Sequence, residues 1–214
     1  MLLENGIWIS KQSPRKSRHG AALFLDRDGV IIKDTHYISR AENVVLEHGA
    51  VELLKWAHDI GLAIVVVTNQ SGIARGMFGW TEFESVETEI ARQLSAQSVH
   101  IDLTIACAFH KDHTPDFGAA QDRWRKPGPA MLELGASMVS ADLGASWIVG
   151  DRASDIGAAA NAGLAGGVHV QTGHGAKASE AALTLARENF VVASVADPMA
   201  ALQILRDAFA SKSA

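Results

Sequence analysis

Apolar runs rich in Val, Ile and Ala recur along this chain with helix-period segments between them, and that alternation constrains its fold more than any other feature. Ala21–Leu25, Ala63–Thr68, Ile101–Ala108, Ser146–Val149, Gly167–Gln171 and Phe190–Val192 read as strands. Val51–Ile60, Thr81–Gln97, Pro129–Val139, Ala153–Ala162 and Ala176–Arg187 place apolar residues three and four apart, and Pro198–Phe209 closes the chain similarly. Thr81 with Glu84 predicts a capping-box start. Parallel strands need crossovers, which are nearly always right-handed, so the pattern predicts an α/β fold: a doubly wound, mostly parallel sheet with helices on both faces. Its 214 residues, 48% apolar, can bury one sizeable core. A flexible leader is expected over residues 1–19, because Lys11–His19 is polar, basic and Pro/Ser-containing, and one domain over 20–214. The long irregular stretch is His110–Pro127, an insert at about 109–126, and loops of that length usually carry function or disorder. Too little chain lies between Val30 and Gly49 for a large cap domain.

Acidic and basic residues are mixed throughout a net charge of −5, so no basic field points to nucleic acid and no basic amphipathic helix to a membrane surface. The longest apolar stretches, such as Leu62–Val67, are far too short to span a bilayer, and no export signal is visible. Cys107 is the one cysteine, which excludes an internal disulfide and fits a reducing compartment. A cytoplasmic monomer is expected.

The chemistry gathers at strand tips. Asp26 and Asp28 follow the apolar run Ala21–Leu25, where open α/β sheets keep their sites, and Gly29 turns the chain away so each carboxylate can take its own role. One could attack as a nucleophile beside a bound cation while the other donates and recovers a proton; the plainer reading is a polar turn. Thr68 to Gly76 offers a hydroxyl, amides, glycines and Arg75, a fair anion cradle, although polar loops before helices are common. Arg125 and Lys126 stand together before the turn Pro127-Gly128-Pro129; cations sit poorly at a helix start, which favours an anion partner. Asp151 ends the fourth strand as a candidate metal ligand, and hard oxygen donors select Mg²⁺. Ser154 and Asp155 read as caps of the following helix.

Taken in order, DRDGV, TNQSGIARG, RKPGP and VGDRASDI resemble the haloacid dehalogenase-like phosphohydrolases, in the branch that holds heptose bisphosphate and histidinol-phosphate phosphatases. The likeness spans about residues 20–195. It implies a Rossmann-like sheet, Asp26 as the nucleophile that forms an aspartyl-phosphate, and Asp28 as the acid that protonates the leaving oxygen and then activates water. It places Thr68, Asn69 and Lys126 on the transferring phosphoryl group, and Mg²⁺ on Asp26, the Asp28 carbonyl and Asp151. Substrate contacts carry over to Asp34, Ser71, Arg75 and Arg125, with Arg152 where the family often has lysine. The implied substrate is a small phosphorylated metabolite, a heptose 1,7-bisphosphate ahead of histidinol phosphate.

The chain departs from those relatives in the insert, where a C-x-H followed by C-x-C zinc loop is interrupted: Asp122-Arg123-Trp124 supplies no cysteine. Zinc is therefore not expected, since a structural site closes with four ligands. Cys107, His110 and His113 remain, and a non-standard site could draw on Asp112 or Asp116. Packing by Phe109, Phe117 and Trp124 is expected instead, with Trp124 able to line the pocket. Cys107 reads as a buried core residue and His169 and His174 as ordinary loop or core residues, although Thr172–Gly175 could border the pocket. Two other classes share such a scaffold. A receiver-like module would store the phosphoryl group, which makes no use of a proton shuttle at Asp28, and a non-catalytic binding protein would not need Asp26, Asp28, Lys126 and Asp151 together.

Overall fold

A computed structural model describes residues 2–4, 6–11, 20–114 and 119–210. In chain order the elements are β1 (Leu2–Glu4), β2 (Ile7–Lys11), β3 (Ala22–Leu25), α1 (Ala50–Asp59), β4 (Ala63–Asn69), α2 (Ser71–Ala74), α3 (Trp80–Ala96) and β5 (Leu103–Cys107). There follow α4 (Ala119–Trp124), α5 (Ala130–Val139), β6 (Trp147–Gly150), α6 (Ala153–Ala162), β7 (Gly166–Val170), α7 (Gly175–Leu183), β8 (Val191–Val195) and α8 (Pro198–Ala210). One sheet runs β1-β2-β5-β4-β3-β6-β7-β8. Its strands are parallel from β5 through β8; at one edge β2 is antiparallel to β5, and β1 is antiparallel to β2.

Side chains alternate along each strand, so β3, β4 and β6 feed two cores. Leu23, Leu25, Ile64, Val66 and Val149 meet α1, α3 and α8 on one face. Phe24, Val65, Val67, Ile105 and Ile148 meet α5, α6 and α7 on the other. α3 buries Phe83, Val86, Ile90 and Leu94, a stripe at three- and four-residue spacing. The doubly wound, mostly parallel sheet is as the sequence predicts. β3 starts the sheet, β4 and β5 extend it one way, and β6, β7 and β8 extend it the other. The direction of winding therefore reverses between β3 and β6, which opens a crevice at their carboxyl ends. Residues 33–49 carry a short 3-10 turn at Ala41–Asn43 and an isolated antiparallel bridge from Leu46 to Ile32, and no cap domain.

Three local expectations are corrected. The leader is not wholly without structure: β2 pairs along β5 from Ile7 opposite Cys107 to Lys11 opposite Leu103. β5 is fully buried, and β2 covers what would otherwise be an open apolar edge, with Ile7, Trp8 and Ile9 inside. The rest of the leader stretch, residues 12–19, lies outside the described residues. α3 starts at Trp80, and its box is built by Glu82, whose Oε2 accepts from Gly79 N at 2.8 Å, two residues ahead of Thr81 and Glu84. The insert is not irregular throughout, since α4 forms within it.

Candidate active site

Asp26 and Asp151 stand side by side because β3 and β6 pair in register to Leu25 opposite Val149, and Asp26 N then donates to Val149 O at 2.9 Å. β4, on the other flank of β3, brings Thr68 and Asn69. Between them lies a cavity of about 440 Å³ lined by Asp26, Asp28, Asp34, Thr68, Asn69, Ser71, Arg75, Arg125, Lys126 and Arg152, so these expected residues share one space. Asp151 is fully buried beneath it and clusters with Asp26 and Asp155.

Lys126 is the hub of the floor. Its Nζ lies 2.7 Å from Asp26 Oδ1 and 2.7 Å from Asp155 Oδ1, and it donates to Val67 O at 2.6 Å. Burial opposes its charge, but Asp155 and Asp26 outweigh that and hold its ammonium well above the usual range. Asn69 fixes the backbone of this residue: Oδ1 accepts from Lys126 N and Nδ2 donates to Lys126 O, both at 3.1 Å. Its amide thus serves Lys126 first, where the sequence suggested a phosphoryl contact. Asp155 proves more than a cap. Oδ2 does accept from Arg152 N at the start of α6, while Oδ1 faces Lys126.

Asp28 is held by residues that sequence reasoning passed over. Arg27, buried though charged, grips it through Nε and NH2, and Gln70 Nε2 donates both to Asp28 Oδ2 and to Thr68 Oγ1 at 2.9 Å. Arg27 NH1 reaches Glu87 on α3 at 3.1 Å. Alternation at a strand end was the available signal, since Arg27 must point away from its neighbours.

Gly29 and the loop after β7 close the far wall. Gly29 has φ +83°, and a Cβ there would come within 2.8 Å of Asp151 Oδ2, so glycine alone lets the turn pass the carboxylate. Thr172 donates to Gly29 O, and His174 N donates to Asp151 Oδ2 at 2.7 Å. His169, a core residue as expected, donates to Asp151 O at 3.1 Å. Asp151 Oδ1, although buried, has no hydrogen-bond partner among the described residues. An orphaned carboxylate oxygen inside a carboxylate cluster fits a hard divalent cation.

That cluster is costly without one. Burial pushes the Asp26 carboxyl up to about 6 against the pull of Lys126, and burial with Asp26 and Asp155 pushes Asp151 up to about 8. Carboxyls raised on folding make the folded state bind more protons than the unfolded one, so metal-free stability falls as pH rises from about 4 towards 8. A cation must displace those protons. Mg²⁺ affinity is therefore expected to weaken up to about tenfold per unit between pH 8 and 6, with proton release seen by calorimetry in buffers of different ionisation heat. Affinity independent of pH across that window would contradict this cluster as the site.

The rim is cationic. Arg75 NH2 meets His110 Nε2 at 2.9 Å, and Arg125 NH1 donates to Phe109 O at 3.0 Å; among the described residues neither guanidinium has a carboxylate partner. Burial, aided by Arg152 and Arg75, pushes Arg125 down, and burial with Arg125 and Arg75 pushes His110 down. Opposite, Asp34 is engaged by His174 Nε2 at 3.0 Å and His36 N at 2.8 Å, and the two imidazoles stack at 5.3 Å. His36, His110 and His174 line the cavity, and no motif marked His36.

Trp124 does not line the pocket but packs with Phe109 against the α5 side of the core. Phe117 and Asp116 lie outside the described residues. Cys107 is buried, and burial pushes its thiol up to about 12. Asp112 is exposed, and the clusters of potential metal donors among the described residues draw on none of Cys107, His110, Asp112 or His113.

Residues 123–198 match the family model described as HAD-hydrolase-like. A D-glycero-beta-D-manno-heptose-1,7-bisphosphate 7-phosphatase of Mesorhizobium japonicum is 41% identical over 78% of this chain and 77% of its own length. The protein of that name from Escherichia coli K12 is 36% identical over 71% of this chain and 80% of its own. Among solved structures, one described as a HAD-like phosphatase from Mesorhizobium loti superposes with a TM-score of 0.82 at 35% identity, covering 97% of this chain and 94% of that one. The D,D-heptose 1,7-bisphosphate phosphatase of B. bronchiseptica, complexed with magnesium and phosphate, gives 0.72 at 29% identity, covering 87% and 98%.

Proposed function

The chain belongs to the haloacid dehalogenase-like hydrolases and is a phosphatase of that family, and from this premise we propose that it removes the 7-phosphate of D-glycero-D-manno-heptose 1,7-bisphosphate with Mg²⁺. The relatives that share most of its length carry that activity in their names. The observation that carries the substrate reading is the two-ended pocket. A nucleophile and a lysine lie at the floor, and Arg75 and Arg125 stand at the rim without a carboxylate. Two anionic groups on one substrate answer both ends. Histidinol phosphate, with one phosphate and an ammonium group, would set like charge against the rim arginines.

In this reading Asp26 Oδ attacks phosphorus as the bond to the sugar oxygen breaks, and protonated Asp28 gives that oxygen its proton. Asp28, now a carboxylate, takes a proton from water as the water oxygen attacks phosphorus and frees Asp26. Lys126 and the Thr68 hydroxyl hold the equatorial oxygens, with the donor capacity of Gln70 spent on Thr68 and Asp28. Asp26, Asp151 and the Asp28 carbonyl would hold Mg²⁺, with Asp155 beside them, and the ion would supply positive charge against the anions that meet there. Ser71, Asp34 and Arg152 border the sugar, and the expectation of a cytoplasmic monomer belongs to the same reading.

The test is phosphate release from both anomers of the heptose bisphosphate, histidinol phosphate and sugar monophosphates. Arg75→Ala should raise KM for the bisphosphate about 10- to 100-fold with kcat nearly unchanged, since a charged hydrogen bond is worth about 1.5–3 kcal/mol. Equal loss on a monophosphate would contradict a grip on the second phosphate.

A further inference from the structure

Arg27 is among the largest fully buried side chains of the protein, yet its cationic head lies one residue from the nucleophile. Nε donates to both Asp28 oxygens at 3.2 Å, NH2 to the same oxygens at 3.0 and 2.9 Å, and NH1 to Glu87 Oε1 at 3.1 Å. The guanidinium carbon lies 5.1 Å from the centre of the Phe83 ring, which is itself packed edge-on by Trp8 and Trp80. Each degree of freedom of the fork is thereby used. Burying an ionic group is costly, and a buried ion-pair set exchanged whole for apolar residues of similar volume often leaves a fold as stable or more so, so stability alone is a weak account of the Asp28–Arg27–Glu87 set. Its one partner with chemistry to do is Asp28, which is 23% exposed at the cavity while Arg27 and Glu87 are shut away behind it.

We propose that Arg27, braced by Glu87, is a positioning residue that fixes the Asp28 carboxyl group where it exchanges a proton with the leaving and attacking oxygens. A carboxylate offers about four acceptor sites. Arg27 Nε and NH2 reach both Asp28 oxygens and Gln70 Nε2 reaches Oδ2, so three donor groups hold the carboxylate from behind while its pocket side stays open to a proton. Glu87 matters because Asp28 meets the fork only through Nε and NH2, whereas Glu87 takes NH1 and so holds the guanidinium plane from α3. The inference rests on the proton role proposed for Asp28.

Leaving-group dependence separates positioning from general damage. A sugar oxygen needs a proton to depart, whereas 2,4-dinitrophenolate does not, so an acid fault slows the first ester and spares the second. The experiment compares first-turnover rates, by rapid mixing, for the sugar bisphosphate and for 2,4-dinitrophenyl phosphate in wild type, Asp28→Asn, Arg27→Met, Arg27→Lys and Glu87→Gln. Asp28→Asn should slow sugar release by about 100-fold or more and leave the phenolate burst within a few-fold of wild type. Arg27→Met should show the same split at about 100-fold, and Arg27→Lys and Glu87→Gln a smaller one of about tenfold, as displaced catalytic groups do. Should Arg27→Met fail to fold, the two milder variants carry the test. Equal slowing of both esters, or of neither, in the Arg27 and Glu87 variants while Asp28→Asn splits them would overturn the inference alone. No split in Asp28→Asn would remove the proton role of Asp28, and the inference with it.

Discussion

Asp26→Asn is expected to lower turnover by about 10⁴-fold or more while leaving the fold intact, and in metal-free buffer at pH 8 to unfold no earlier than wild type. Both halves follow from one site. The Asp26 carboxylate lies at the end of β3, 2.7 Å from Lys126 Nζ, and is the oxygen nucleophile of the proposed mechanism, so its amide has no carboxylate oxygen to form the acyl phosphate. The charge it removes is an uncomfortable one. Burial first, then Asp155 and Asp28, raise the Asp26 carboxyl to about 6 despite Lys126, which means that its ionised form is strained in the folded protein near neutral pH. Asparagine keeps an acceptor for Lys126 and adds no negative charge. Turnover within tenfold of wild type would remove Asp26 as nucleophile; a thermal midpoint well below wild type would show that the Lys126 pair outweighs the crowding of carboxylates.

Lys126→Met should do the opposite to stability. It leaves Asp26, Asp155 and the Val67 carbonyl without the ammonium that all three share, in a setting where Lys126 is 3% exposed. Breaking a buried pair from one side costs about 3–5 kcal/mol, so the thermal midpoint is expected to drop by about 10 °C. Turnover should fall by about 10²–10³-fold as a fixed positive charge is lost from the phosphoryl group. The double variant Lys126→Met/Asp155→Asn should recover part of the stability and none of the turnover. A single variant as stable as wild type would mean that water replaces the ammonium.

The alternation of apolar runs was enough to place six strands and their crossovers, because buried parallel strands write themselves as continuous Val/Ile stretches such as Ala63–Asn69. β2 was hidden for the converse reason: Ile7–Lys11 is short, and its worth lies in an edge contributed by β5, far along the chain. Strand-tip logic pointed to Asp26, Asp28, Thr68, Asn69 and Lys126 at the cavity, and passed over Arg27, His36 and Gln70. It missed Glu87, which sits mid-helix on α3 with no motif around it and acquires meaning only from the guanidinium packed opposite. Asp155 was half legible: its place at the start of α6 shows in sequence, while the ion pair with Lys126 needs β4, β6 and the loop before α5 to meet.

One carboxylate therefore does two jobs, ending a helix with one oxygen and neutralising an ammonium with the other. Fraying of the first turn of α6 would then be no local event, because it would withdraw a counter-charge from Lys126 and leave that ammonium to Asp26 and the Val67 carbonyl alone. Readiness for catalysis and the slow breathing of a helix end become a single equilibrium, so amide exchange at the start of α6 reports how often the enzyme is out of service.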